Sequence, residues 1–178
     1  MHKRLLDHCM EHSIISSKQA AYLKGDSTVA QLLYIVHKIR SQWAKGNVTH
    51  AVFLDVQAAF DKVWHKGLLA MLDQINVTNE VHALFASYLT NRKQVTVIDG
   101  SKSDEKTVKA GVPQGSRLGP LLYIIYINDV TANIESDILM FADDTSLLVS
   151  GKSPEETSKI LNRDLARIAT WSAKWKVT

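Results

Sequence analysis

A mixed α/β (α+β) fold, with a small antiparallel sheet and flanking helices, is the architecture this sequence predicts. Three observations carry that prediction. Short apolar runs suited to strands occur at Ala51-Val52-Phe53-Leu54, Ile138-Leu139-Met140 and Thr145-Ser146-Leu147-Leu148-Val149. The last two are separated only by Phe141-Ala142-Asp143-Asp144, which reads as the tip of a hairpin because aspartate tolerates tight turns. Elsewhere apolar residues recur mainly at helical spacing.

Taken in order, Leu5, Leu6, Cys9 and Met10 predict a short helix over residues 3–12. Residues 14–19 read as a connector. Gly25 marks a turn, and Asp26, Ser27 or Thr28 caps a helix with Val29, Leu32, Leu33, Val36, Ile39 and Trp43 along one face. Gly46-Asn47 ends that helix, and the strand Ala51–Leu54 follows, closed by Asp55. Residues 57–75 read as mainly helical after an initial turn, and residues 79–89 as another helix. Gln94-Val95-Thr96-Val97-Ile98 reads as a strand, Asp99-Gly100 as a turn, and Thr107–Ala110 as the returning strand. Gly111-Val112-Pro113-Gln114-Gly115-Ser116 is a loop. Residues 118–128 form a buried helix, with Pro120 tolerated in its first turn. After the hairpin, Ser153-Pro154-Glu155-Glu156 opens the last helix as N-cap, first-turn proline and capping-box glutamate.

The 178 residues suit one domain, and 46% hydrophobic content can bury a core. A net charge of +3 is mildly basic and compatible with a nucleic-acid partner. The single cysteine, Cys9, excludes an internal disulfide and suits a reducing compartment, cytoplasmic or nuclear. Met1-His2-Lys3-Arg4 is not followed by the apolar stretch of a secretory signal. The longest apolar run, residues 121–127, is too short to cross a bilayer, so no membrane partner is expected. The histidines lack zinc-ligand spacing.

Asp55 ends a buried strand, where a carboxylate is costly unless paired, hydrogen-bonded or bound to metal. Asp143 and Asp144 alone fit an ordinary turn. If the two strand ends are neighbours, the three carboxylates form a hard oxygen site suited to Mg²⁺. Two such ions can activate an attacking oxygen and stabilise a leaving one, which is the chemistry of nucleotide polymerisation.

The chain resembles the reverse transcriptases of non-LTR (LINE-like) retrotransposons over nearly its whole length. Phe53-Leu54-Asp55-Val56-Gln57-Ala58-Ala59-Phe60-Asp61-Lys62-Val63-Trp64-His65 is similar to polymerase motif A. Ala110-Gly111-Val112-Pro113-Gln114-Gly115-Ser116-Arg117-Leu118-Gly119-Pro120 is similar to motif B, and Phe141-Ala142-Asp143-Asp144 to motif C. Residues 19–28, 87–92 and 126–129 also match the family between these motifs. Each motif alone is weak, and the three in order are specific.

The resemblance implies a polymerase palm with partial fingers and no thumb: residues 1–50 as a partial fingers segment and residues 51–178 as palm. It implies an RNA-directed DNA polymerase in which a primer 3′-hydroxyl attacks a dNTP on an RNA template. The ions would be Mg²⁺, with Mn²⁺ as a substitute, held by the catalytic aspartates Asp55, Asp143 and Asp144. Phe60 matches the aromatic that lies beneath the incoming sugar, and equally fits a plain core position. Gln114 and Gly115 match residues at the incoming nucleotide or template. Lys24 matches a basic position facing the triphosphate, and Arg117 a contact to nucleic-acid phosphate; both also suit solvated surface positions. Asp61 and His65 orient the turn and helix, and the four tryptophans are core residues.

Two departures stand out. Ala58 replaces a lysine usual in motif A, and Asp26 stands where a basic residue is common. The resemblance further implies a longer parent protein carrying the thumb and other retrotransposon domains. Ala58 and the short length motivate an alternative reading, a truncated or domesticated palm that binds RNA or protein without catalysis. A third reading is a two-metal nuclease, against which the polymerase-like motif B argues.

Overall fold

The computed structural model describes residues 1–177; Thr178, the last residue of the expected palm segment, lies outside the described residues. Helix α1 spans His2–Glu11 and α2 spans Thr28–Ala44. Strand β1, Val48–Leu54, leads into helices α3 (His65–Gln74) and α4 (Asn79–Leu89). A ribbon of two-residue strands follows: β2 (Lys93–Gln94), β3 (Val97–Ile98), β4 (Ser101–Lys102) and β5 (Lys106–Thr107). Helix α5, Leu118–Tyr126, precedes a 3₁₀ turn at Asn128–Thr131. The hairpin strands are β6 (Asp137–Phe141) and β7 (Asp144–Gly151), and α6 (Pro154–Trp175) ends the chain.

The main sheet is antiparallel with order β1-β7-β6. Its register runs from Val48↔Gly151 to Leu54↔Thr145 on one side and from Asp137↔Leu148 to Phe141↔Asp144 on the other. Two hydrophobic edges therefore converge on β7, whose Leu147, Leu148 and Val149 are buried. Apolar side chains surround α5 on all sides, so it is the central helix: Leu121 to Tyr126 are all buried. Leu68 and Leu72 of α3, Phe85 and Leu89 of α4, and Leu161 and Trp175 of α6 pack in the same cluster. Each such side chain, fully buried, is worth about 1.5–3 kcal/mol.

Of the three candidate caps before α2, Ser27 is the one used, and Ser153 caps α6. Ser27 accepts from the Ala30 N–H at 3.1 Å, and Ser153 from the Glu156 N–H at 3.1 Å. Each satisfies one of the donors a helix leaves open at its start.

Three expectations are corrected. The turn expected at the start of residues 57–75 extends through residue 64 and the helix begins only at His65: Ala58 takes φ +52° and the Asp61 and Lys62 N–H groups both close on its carbonyl. The expected strand 94–98 is broken into β2 and β3, which pair with β5 and β4 in two short ladders. The apolar face of α2 points outward: Val29, Leu32, Leu33 and Val36 are exposed, and Trp43 is 77% exposed. Trp43 is thus no core residue, whereas Trp175 is buried and Trp171 and Trp64 are half-buried against the core. No helix among the described residues is long and apolar enough to cross a membrane.

Candidate active site

The register Leu54↔Thr145 brings the end of β1 beside the hairpin turn, so Asp55 emerges at the sheet end that carries Asp143 and Asp144. The turn has two residues, Ala142 and Asp143, between the paired Phe141 and Asp144. Ala142 stands at φ +55°, a conformation that costs a side-chain-bearing residue roughly 1–2 kcal/mol. The surrounding hydrogen bonds hold it there. Its N–H donates to Gln19 Oε1 at 3.0 Å, and the same oxygen accepts from the Ala21 N–H at 2.9 Å. Two residues earlier, Met140 donates to the Lys18 carbonyl (2.8 Å) and accepts from the Ala20 N–H (3.0 Å). The buried Gln19 side chain is therefore a brace for the aspartate turn, which sequence reasoning missed because the contact spans most of the chain.

Asp55 and Asp143 line one cleft of about 190 Å³, walled by Leu54, Val56, Met140 and Trp171. Trp171 is fixed there by its indole N–H, which donates to Asp129 Oδ1 at 2.5 Å. Asp144 lies elsewhere, in a separate hollow with Phe53, Phe141, Gln31 and Leu32. Neighbouring residues at a hairpin end leave on different sides, which is the reason the adjacent pair divides. Among the described residues none of these three carboxylates makes a hydrogen bond or ion pair. No three acidic, histidine or cysteine side chains converge closely enough to cage a metal among the described residues. The donor set is thus two unpaired carboxylates in one cleft, with a third next to them in sequence. That fits Mg²⁺ or Mn²⁺, since Mg²⁺ commonly takes one or two protein carboxylates and completes its shell with water and substrate phosphates.

The glycine loop is docked on the turn that follows β1. Gly111 donates to the Val63 carbonyl and Val112 to the Phe60 carbonyl, both at 2.8 Å. At φ +90°, a Cβ on Gly111 would stand 2.7 Å from the Asp61 carbonyl oxygen, so glycine is required there. His65 Nε2 lies 2.8 Å from the Gly111 carbonyl, and Gln114 Nε2 donates to Asp61 Oδ1 at 2.8 Å. Asp61 and His65 therefore hold the glycine loop, beyond the turn and helix that the sequence assigned to them. Ser116 Oγ donates to the Pro113 carbonyl (2.7 Å) and accepts from the Gly119 N–H (2.9 Å), which launches α5.

Phe60 is half-buried and stacks on Tyr123 of α5, with centroids 4.7 Å apart and planes inclined by 34°. Gly115, at φ +77°, and Gln114 are exposed at the loop tip. Arg117 is exposed at the start of α5, and Lys24 is exposed beside Gly25; neither side chain has a partner among the described residues. Lys24 and Arg117 do not line the cleft of Asp55 and Asp143. Tyr123 was passed over in the sequence because one tyrosine in an apolar helix reads as core. It is core, at 1% exposure, yet its hydroxyl has no hydrogen-bond partner. Burial, then the nearby charge of Asp143 and, more weakly, Tyr126 and Asp55, pushes that hydroxyl's pKa far above the usual phenol range.

An antiparallel sheet that delivers aspartates from a strand end and a hairpin turn, over a helix-packed floor, defines a palm-type polymerase fold. The fold is shared with telomerase from Candida tropicalis in complex with a fragment of telomeric RNA: TM-score 0.62 and 13% identity, over 89% of this chain and 29% of that one. The family model described as "Reverse transcriptase (RNA-dependent DNA polymerase)" matches residues 1–178. The chain belongs to the reverse transcriptase family. It is 33% identical over 180 residues to the probable RNA-directed DNA polymerase from transposon BS of Drosophila melanogaster, covering 97% of this chain and 20% of that protein. It is 38% identical over 144 residues to the RNA-directed DNA polymerase from mobile element jockey of the same organism, covering 75% of this chain and 16% of that one. The chain thus spans about a fifth of the length of these relatives. Reverse transcriptases use divalent metal ions.

Proposed function

We propose that this chain is the catalytic core of an RNA-directed DNA polymerase, in which Asp55 and Asp143 hold Mg²⁺ and Asp144 supports them from the neighbouring face. The observation that carries this reading is the shared cleft. Two carboxylates, one just past β1 and one in the β6–β7 turn, line it with no partner among the described residues, in a chain of the reverse transcriptase family. Asp55 is exposed and Asp143 half-buried, so neither is the enclosed charge expected at a buried strand end, and both are open to an incoming cation.

In the reaction, the 3′-hydroxyl oxygen of a primer bonds to the α-phosphorus of a dNTP, the bond to the β-phosphate oxygen breaks, and pyrophosphate leaves with the hydroxyl proton lost to solvent. When bound, Mg²⁺ supplies charge neutralisation at the phosphates and lowers the pKa of the attacking hydroxyl. Phe60, backed by Tyr123, forms the floor under the incoming sugar and disfavours a 2′-hydroxyl by bulk. Gln114 and Gly115 face the incoming nucleotide, and the side chain of Gln114 is aimed by Asp61. Lys24 and Arg117 are exposed cations free to meet triphosphate and nucleic-acid backbone respectively. In this reading residues 1–50 are a partial fingers segment, residues 51–178 are palm, and the thumb belongs to the longer parent protein. The protein acts in the cytoplasm or nucleus.

The test is primer extension on an RNA template with Mg²⁺, comparing the wild type with Asp143→Asn/Asp144→Asn. Extension by the wild type alone is expected. Equal extension by both proteins overturns the site assignment. The separation of Asp144 from the other two carboxylates favours a second reading, a palm that binds RNA without catalysis. It requires RNA affinity that is indifferent to Mg²⁺ and survives loss of all three aspartates.

A further inference from the structure

Helix α2 is docked by its polar side and turns its apolar side to solvent. Gln31 Nε2 donates to the Met140 carbonyl at 2.8 Å, the Tyr34 hydroxyl donates to Asp137 Oδ2 at 2.6 Å, and Lys38 Nζ lies 3.0 Å from the same oxygen. These contacts, at i, i+3 and i+7, fix the face that meets the edge strand β6. On the opposite side Val29, Leu32, Leu33, Val36 and Trp43 are all exposed, at the spacing of a helix-pairing seam. They make one stripe about 21 Å long. A contiguous exposed stripe of this kind marks a contact with another surface. The polar bonds leave α2 no rotation that buries the stripe in its own chain. Asp26 flanks the stripe at the start of the helix and Arg40 flanks it near the other end. Both are exposed, and neither side chain has a partner among the described residues.

We propose that the α2 stripe is the contact between two copies of this chain, paired antiparallel about a two-fold axis. A two-fold interface uses the same patch on both subunits, and this patch complements itself. With Val36 of one copy opposite Leu32 and Leu33 of the other, Arg40 falls against the start of the facing helix, where the other copy's Asp26 stands. The symmetry makes that ion pair twice. Trp43 falls over the facing Gly25, where nothing lies within 4 Å of a Cβ position, so the indole has room. Parallel pairing sets like charge against like at both ends, so charge complementarity selects the antiparallel direction. No residue of α2 lines the cleft of Asp55 and Asp143, so the pairing stands apart from the polymerase reading.

Sedimentation equilibrium of the 178-residue chain at low salt tests this, with wild type, Val36→Glu, Asp26→Arg and Arg40→Glu. A reversible monomer–dimer equilibrium is expected for wild type. Val36→Glu puts a charge at the centre of the seam and is expected to leave only monomer. Each charge variant alone sets like charges together twice and should dimerise about 10-fold more weakly. Mixing Asp26→Arg with Arg40→Glu restores both ion pairs, so the mixed dimer should form about as tightly as wild type. The two charge variants alter exposed positions and keep the test decisive should Val36→Glu fail to fold. Monomer mass for wild type at every concentration up to about 1 mM overturns the inference and leaves the stripe to a different protein. A dimer that survives Val36→Glu also overturns it. Single charge variants as tight as wild type, or a mixture no tighter than either alone, overturn the antiparallel pairing.

Discussion

Gln114 Nε2 donates to Asp61 Oδ1 at 2.8 Å, and this one hydrogen bond ties the tip of the glycine loop to the turn after β1. Both side chains are exposed, so the bond adds little to stability. Its effect is on geometry, since it fixes which way the Gln114 amide faces. Asp61→Ala is expected to leave the melting temperature nearly unchanged while raising KM for dNTP several-fold. Steady-state primer extension across dNTP concentrations, with parallel melting curves, checks both halves of that expectation.

Gly111→Ala should be costly in a different way. The new methyl would collide with the backbone of Asp61, which cannot rotate away as a side chain can, at a φ that alanine disfavours. A loss of roughly 2–4 kcal/mol is expected from overpacking plus backbone strain. Urea denaturation of the variant against wild type measures it directly.

Asp164 is fully buried near the start of β6 and accepts from the Ser136 hydroxyl (2.5 Å), the Ser136 N–H (2.7 Å), the Glu135 N–H and Arg167 Nη1 (2.8 Å). Burial alone would raise its pKa, but the donors around it outweigh burial and hold it below the usual carboxylate range. The folded-state pKa therefore lies under the unfolded value of about 3.9. Stability from this group is fully present above that value and is lost as pH falls through the folded pKa. Asp164→Ala, which strands several buried donors, is expected to cost about 3 kcal/mol at pH 7. The gap between variant and wild type should narrow below about pH 4. Urea midpoints at pH 7, 5 and 3 test the direction.

Asp143 and Asp144 should not be equivalent, since they line different hollows. On the proposed site, Asp143→Asn is expected to remove primer extension by at least about 100-fold. Asp144→Asn should leave a larger residual rate. Single-nucleotide incorporation by the two single variants, side by side, decides the order.

The exposed apolar face of α2 predicts self-association at high concentration, because isolated exposed side chains are ordinary but a contiguous stripe is not. Leu33→Glu should reduce concentration-dependent light scattering and shift stability by no more than about 0.5 kcal/mol.

That stripe also shows where sequence reading reached its limit. Spacing identified α2, with Ser27 among three candidate caps, but periodicity reports that a helix has an apolar face, not which way the face turns. The hairpin and its aspartates were legible because they depend on neighbours in sequence. So were Ser153-Pro154 at the start of α6 and the sense of Asp61 and His65 as orienting groups. The length of the turn before α3 was not legible, because Ala58 adopts a positive φ that its identity disfavours. The brace at Gln19 belongs to contacts across the whole chain, which no local pattern encodes.

The brace at Gln19 carries a consequence for synthesis. Its side-chain oxygen meets the Ala142 N–H across 123 residues, and Asn128 likewise accepts from the Ser16 N–H and donates to the Ile14 carbonyl, 112 and 114 residues away. A chain emerging from the ribosome makes the N-terminal partners of these bonds first and must hold them unsatisfied until the hairpin appears. At roughly 5–20 residues per second, that interval lasts several seconds to half a minute or so. The aspartate turn is therefore among the last features to reach its native shape, and the ordering of its scaffold depends on the slow closure of long loops.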